Sequence, residues 1–349
     1  MPMTGYRAEW CRYTLDFTFE ARTSRGSMLH KDTYFIRITA PDKRIGVGEV
    51  PLFRGLSQED TPEFEQILAD KCRNITDAIE DPGVSSIAFG ISSALASMAQ
   101  NGSAAASHTP WELGHRGISI NGLVWMGDKH LMQKRVAEKL AQGFRVIKIK
   151  IGGINFDDEL EIIKELRRQF SPDELELRLD ANGAFQPDEA LKYLDHLAPY
   201  DIHSIEQPVK AGQIEAMADI CRRSPIPVAL DEELIGMRTY EEKVRLVSEI
   251  QPSFLVLKPS LCGGFSAAAQ YIDIIGPGRW WVTSALESNV GLYAIARWLT
   301  RYDVSMAQGL GTGQLYSNNI GSPLTMHDCR LWCDPMKRWQ DLDELPWHQ

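Results

Sequence analysis

Cysteine is sparse in this 349-residue chain, long apolar runs are missing, and positive charge is in deficit. Six scattered cysteines cannot build a disulfide framework, so reduced thiols in the cytoplasm are the expectation. Cys329 and Cys333 stand close, but a C-x-x-x-C without a second pair is poor zinc spacing. No apolar stretch reaches the roughly 18 residues that a membrane-spanning helix requires. The opening MPMTGYRAEWCRYTLDF lacks the apolar core of a secretory leader. A formal net charge of −10 argues against a nucleic-acid or anionic-membrane surface. With 44% hydrophobic and 24% charged residues, the remaining class is a globular protein with a large core, one large domain and a smaller one.

Texture along the chain divides it. Up to about residue 55 it alternates as antiparallel strands do, in YTLDFTFEA, TYFIRITA and IGVGEVPL. RTSRGSMLHKD, between the first two, reads as a mobile polar loop. Helical text follows: TPEFEQILADKCRNITDAI, with a Thr-Pro start, and SSIAFGISSALASMAQ. After HTPWELGHRG a regular beat sets in, with short apolar runs ISINGLV, RVIKIKI, LELRLDA, IHSIEQP, PVALDEE, SFLVLKP, WWVTSAL and VSMAQGL. Helix-like stretches separate most of them. Eight strands with helical crossovers predict an α/β fold, a modified (β/α)8 barrel. The expected division is an α+β capping domain over 1–115, the barrel over 116–320, and a tail over 321–349 that packs back on the cap.

Charged residues end these apolar strands. In RVIKIKIGG, alternation sets Val146, Lys148 and Lys150 on one face and three isoleucines on the other. Lys150, Asp180, Glu206, Asp231 and Lys258 follow at intervals of 30, 26, 25 and 27 residues, about one βα unit each. All five therefore point into one mouth, the face where sites of this fold lie. Any one acid alone is most simply a strand-end cap or an ion-pair partner. Three on adjacent strands crowd negative charge that a cation must offset, and an all-oxygen set selects a hard ion such as Mg²⁺. A partly desolvated lysine beside a cation has a lowered pKa and can act as a base. Lys148, one pleat deeper than Lys150, reads as ion-pair support.

At these residues the sequence resembles the enolase superfamily, and more closely its o-succinylbenzoate synthase members. IKIKIG, LRLDANGAF, SIEQP, VALDEEL and LVLKPSLCGG carry the resemblance in that order, and it covers nearly the whole chain. It implies that Asp180, Glu206 and Asp231 bind Mg²⁺, with Mn²⁺ as a substitute. Lys150 is then the base, and Lys258 faces it across the substrate. Arg178, Asn182 and Glu232 match supporting positions. The implied reaction dehydrates 2-succinyl-6-hydroxy-2,4-cyclohexadiene-1-carboxylate to o-succinylbenzoate in menaquinone synthesis, through a metal-stabilised enediolate.

The alternative is an N-acylamino acid racemase or dipeptide epimerase on the same scaffold, because two opposed lysines also suit two-base racemisation. The dipeptide epimerases share a D-x-D in the eighth-strand segment. AQGLGTGQLYSNN has no acid there, and Gly311 and Thr312 in its glycine-rich loop suit an anion such as a carboxylate tail. GLGTG lacks nucleotide-loop spacing. TSALESNVG adds Ser284, Glu287 and Ser288 as substrate contacts, with a helix N-cap beside an acid as the equal alternative. A non-catalytic barrel would have lost ligands or lysines, and none is missing. The partner expected is a small carboxylate. RTSRGSM and VPLFRGLS are the cap segments expected to close over it, and the oligomeric state stays open.

Overall fold

A computed structural model of the chain describes residues 5–23, 26–101 and 108–348. Strands β1 (Arg7–Thr23), β2 (Gly26–Thr39) and β3 (Ile45–Val50) form an antiparallel sheet in that order. Alternation along β2 sends Tyr34, Ile36 and Ile38 to one face, where helices α1 (Phe64–Arg73), α2 (Ile75–Glu80) and α3 (Ser85–Asn101) cover them. Phe35, on the other face, packs with Cys11, Val290 and Ile320. The cap sheet is therefore buried on both sides. Glycine in β3 permits the close approach of α3: a Cβ on Gly46 would lie 2.0 Å from the Ala94 carbonyl oxygen.

Two expectations for this region change. RTSRGSMLHKD is not a loop, since the β1–β2 ladder resumes after an irregularity and pairs Ala21 with Met28 and Thr23 with Gly26. Burial explains this: Ala21 and Met28 join a cluster with Phe17 and Trp125, and that contact carries the hairpin outward. Ser24 and Arg25 lie outside the described residues. The helical text from Thr61 starts only at Phe64 and breaks at Asn74, whose side-chain amide donates to the Asp70 carbonyl.

The parallel sheet follows. Its chain order is β4 (Ile118–Ser119), β5 (Gly122–Val124), α4 (Lys129–Ala141), β6 (Val146–Lys150), α5 (Phe156–Gln169) and β7 (Glu176–Asp180). It continues through α6 (Pro187–Leu197), β8 (Ile202–Glu206), α7 (Ile214–Arg223), β9 (Val228–Leu230) and α8 (Tyr240–Ile250). Then come β10 (Phe254–Leu257), α9 (Gly264–Ile275), β11 (Trp280–Val282) and α10 (Asn289–Leu299). Helix starts follow local chemistry: Pro187 opens α6, and Thr239 with Glu242 forms a reciprocal capping box on α8. Strands β5 to β11 run side by side in sequence order, all parallel.

ISINGLV splits, because β4 pairs antiparallel with β13 (Arg330–Cys333), itself paired with β12 (Leu324–His327). The expected eighth strand contributes single parallel bridges, Ile120 with Gln308 and Thr283 with Gly309. The Gln308 side chain takes a ladder position by accepting from the Val282 N–H at 2.7 Å. The barrel thus closes through a short seam, giving the modified (β/α)8 form. The C-terminal residues reach the cap, where Trp10 and His348 exchange main-chain hydrogen bonds at 2.9 and 2.8 Å. Among the described residues no helix is long and apolar enough to cross a membrane.

Candidate active site

Register assembles the site. β6, β7 and β8 pair Lys150 with Asp180 and Asp180 with Glu206 across the sheet. Asp231 follows β9 and Lys258 follows β10, so the last-named lysine sits four strands from Lys150 and faces it around the barrel. Asp180, Glu206 and Asp231 are at most 2% exposed. Buried carboxylates need counter-charge, and here it comes from ammonium groups. Lys148 Nζ donates to both Glu206 oxygens at 2.8 Å and lies 2.9 Å from Asp180 Oδ2. Lys150 Nζ reaches Asp180 Oδ2 at 3.1 Å and also the Asn182 side-chain oxygen, Oδ1. Lys258 pairs with Asp231.

These contacts decide the charge states. Burial pulls Lys148 and Lys258 down, but the carboxylates around them outweigh it and hold both above the ordinary lysine range. Burial pushes Asp180 up, yet Lys148, Lys150 and Lys258 together hold it below the usual carboxylate range. Glu206 goes well above that range, through burial and then the nearby Asp180.

Above this floor opens a cavity of about 420 Å³, with Lys148, Lys150, Asp180, Asn182 and Lys258 on its lining. Phe19 and Phe53 from the cap and Trp125 from the barrel form an apolar wall. The Trp125 ring lies 5.8 Å from Lys150 Nζ. VPLFRGLS therefore does reach the cavity, through Phe53 and Leu56.

The supporting residues separate into two groups. Asn182, in the left-handed region at φ 44°, donates its amide to Glu232 at 3.1 Å while accepting from Lys150, so it links base and acid rows. Arg178, 1% exposed, turns elsewhere: it donates to Glu176 at 2.7 Å and to the Ala307 carbonyl at 2.8 Å, under the Trp281 ring. It ties β7 to the seam. Gln207, within the motif SIEQP but not singled out from it, accepts from the Asp231 N–H at 3.1 Å and donates to Glu233 at 3.0 Å. Among the described residues no three His, Cys, Asp or Glu side chains form a ready-made metal cage, since each of the three acids is turned to a lysine.

Comparison with known proteins then places the chain. Residues 131–276 match the family described as "Enolase C-terminal domain-like". The chain is 38% identical to an o-succinylbenzoate synthase of Desulfotalea psychrophila, over 93% of its own length and 98% of the relative's. It belongs to the o-succinylbenzoate synthase family of the enolase superfamily. The crystal structure of MenC from Desulfotalea psychrophila LSv54 superposes with a TM-score of 0.80 at 35% identity, covering 94% of this chain and all of that one. An o-succinylbenzoate synthase from Thermosynechococcus elongatus, solved with Mg in its active site, shares the fold at 22% identity and a TM-score of 0.72, over 89% and 94% of the chains. A Bacillus cereus N-succinyl-L-Arg/Lys racemase matches only 45% of this chain and 41% of its own, at 27% identity.

In this o-succinylbenzoate synthase family member the outer candidates divide. Ser284, Gly311 and Thr312 line the cavity. Glu287 and Ser288 do not, and both are fully buried. Glu287 accepts from the Ser260 and Ser284 hydroxyls, while Ser288 caps α10. Burial raises the Glu287 carboxyl despite those hydroxyls. Asn121, within ISINGLV but not singled out, brings a buried side-chain oxygen without a hydrogen-bond partner to the same lining.

Proposed function

We propose that this chain is a carbon–oxygen lyase that dehydrates 2-succinyl-6-hydroxy-2,4-cyclohexadiene-1-carboxylate to o-succinylbenzoate in menaquinone synthesis. One observation carries the reading: Lys150 and Lys258 line one cavity from strands four apart, each paired with a buried acid, in a chain 38% identical to such a synthase over nearly its full length. The acids fit Mg²⁺, or Mn²⁺ in its place. Their donors are all oxygen, and Glu206 is buried beside the Asp180 carboxylate, a crowding of like charge that a cation offsets. Asp180, Glu206 and Asp231 would hold the ion in place of their present lysine contacts. Such an ion supplies charge that offsets the second negative charge developing on a substrate carboxylate as its alpha proton leaves.

The chain's own residues do the rest. Lys150, as a neutral amine, takes the alpha proton, and Asn182 keeps that amine aimed at the cavity. The same ammonium then returns the proton to the departing hydroxyl, which leaves as water, so one base serves a syn elimination. Lys258, on the cavity lining, serves as a cation over the opposite ring face. Phe19, Phe53 and Trp125 exclude water. Glu232 supports the floor through the Asn182 amide. Ser284, Gly311 and Thr312 contact the succinyl tail. The change from antiparallel to parallel strands supports a cap over 1–115, a barrel over 116–320 and a tail over 321–349. Six unpaired cysteines suit the cytoplasm.

The test is turnover of the cyclohexadiene, followed by the absorbance of the aromatic product. Racemisation of an N-succinylamino acid in deuterated water, with label entering from both faces and the cyclohexadiene left untouched, would instead assign the racemase reading that two lysines also permit.

A further inference from the structure

The cap grips the barrel through one buried carboxylate. Glu49, on β3, is fully buried. Its Oε1 accepts from the Thr33 hydroxyl at 2.7 Å and from the Ser288 N–H at 2.9 Å. Its Oε2 accepts from the Ser288 hydroxyl at 2.6 Å and from the Gly291 N–H at 2.9 Å. Three of those four donors belong to the first turn of α10 or its N-cap, 239 and more residues away in sequence. A helix start has main-chain N–H groups without internal partners, and a carboxylate satisfies them while complementing the helix dipole. Here that carboxylate comes from the cap.

What α10 is held against matters more. The loop before it, Thr283 to Leu286, is a wall of the active-site cavity. Glu287 joins the two: its carboxylate receives the Ser284 hydroxyl and, at 2.8 Å, the Ala285 N–H. It also receives the hydroxyl of Ser260, two residues past Lys258. Leu286 stands in the left-handed region at φ 64°, and its carbonyl accepts from the buried Tyr316 hydroxyl at 2.8 Å. A non-glycine residue keeps that conformation only where its surroundings impose it. The Lys31 amine is buried near Glu49 and Glu287 without a hydrogen bond of its own, and burial pulls it below the ordinary lysine range against the pull of the two acids.

We propose that Glu49 is a positioning residue: through Ser288 and Glu287 it sets the loop of Ser284 to Leu286 against the substrate, so that seating of the cap is built into the site. The kinetic arm of this inference rests on the proposed dehydration; the coupling itself does not. Two variants reach Glu49 differently. Glu49→Gln removes the charge and exchanges one acceptor for a donor. Gly291→Ala keeps the carboxylate but places a Cβ 2.8 Å from its Oε2 and 2.8 Å from the Glu287 Cβ, so both ends of the link must shift. Thr239→Ala, which removes the N-cap of α8 and touches no residue of this network, is the stability control.

Each variant is assayed well below its melting temperature, and amide hydrogen exchange is followed at residues 284–291. Glu49→Gln and Gly291→Ala should each raise KM about tenfold while kcat stays within about threefold, since the loop seats the substrate and the lysines are untouched. Exchange at Ala285 and Leu286 should quicken in both, and the double variant should be no worse than the poorer single one. A wild-type KM in both variants, or a KM rise equal to that of Thr239→Ala, overturns the inference. If the wild type does not dehydrate the cyclohexadiene, the proposed function fails while exchange still decides the coupling. Unchanged protection at Ala285 in Glu49→Gln would then show that Glu49 holds nothing in the loop.

Discussion

Lys148 and Lys150 lie two residues apart on one strand, yet they answer to different partners. Both stand on the cavity lining, but Lys148 is spent on both Glu206 oxygens and Asp180, whereas Lys150 shares Asp180 and Asn182. Lys150→Ala should therefore abolish exchange of the substrate's alpha proton with deuterated solvent, a loss of about a thousandfold or more. Normal exchange in that variant would remove Lys150 as the base. Lys148→Ala should slow exchange less but destabilise more, by roughly 3–5 kcal/mol, because it strips a buried carboxylate pair of its nearest cation. Denaturant titration reads that difference. Lys258 has a third role. It needs only to stay charged, and Lys258→Arg keeps a cation that cannot deprotonate. Dehydration should survive in part, reduced by the larger head group, whereas complete loss with intact folding would mean that Lys258 itself moves a proton.

At the scale of elements, helix starts carry local stability and register carries the site. Thr239→Ala breaks the capping box of α8, should cost about 1 kcal/mol, and should leave KM and kcat alone. A change in turnover would mean that α8 acts on the mouth. Register was the most legible feature: a lysine or acid ending an apolar strand at intervals of one βα unit has few places to go except a barrel mouth. The fold class could therefore be read in advance, and so could the register that sets Lys150 beside Asp180 and Asp180 beside Glu206. Partners could not. Arg178 looked like support for the acids but turns to Ala307, because a side chain that long can serve either end of the barrel. Of the two readings of TSALESNVG, the helix N-cap beside an acid is the one seen, in Ser288 and Glu287, while nothing local shows that Ser260 will donate to Glu287. The β1–β2 hairpin ran past its glycine because tertiary burial of Ala21 and Met28 overrode polar turn chemistry. The Glu49 grip joins residues from opposite ends of the chain, a separation that periodicity does not register.

At the scale of the whole molecule, stability, pH and metal should be linked. Without an ion, each of the three buried acids is paired with a lysine, and burial together with the nearby Asp180 holds Glu206 well above the usual carboxylate range. Glu206 titrates above its unfolded value, so its protonation favours the fold, and that contribution fades as pH rises through the folded value. Asp180 has the opposite sign: its stabilisation is present above the unfolded carboxylate value and is lost as pH falls through its lower folded one. An ion that binds only the folded chain stabilises it in proportion to the logarithm of its saturation. Protons compete with that ion for Glu206, so its effect must grow with pH. Mg²⁺ should therefore raise the melting temperature of metal-stripped protein by several degrees at pH 8 and by much less at pH 5. Asp231→Asn and Glu206→Gln should blunt the shift at pH 8, and exhaustive chelation should stop turnover of wild-type enzyme. The melting experiment needs no substrate, so it tests the metal site apart from the reaction. An equal Mg²⁺ shift at both pH values, or one that persists in both variants, would place the ion elsewhere in the molecule, and full turnover in chelated buffer would leave the three carboxylates without a chemical purpose.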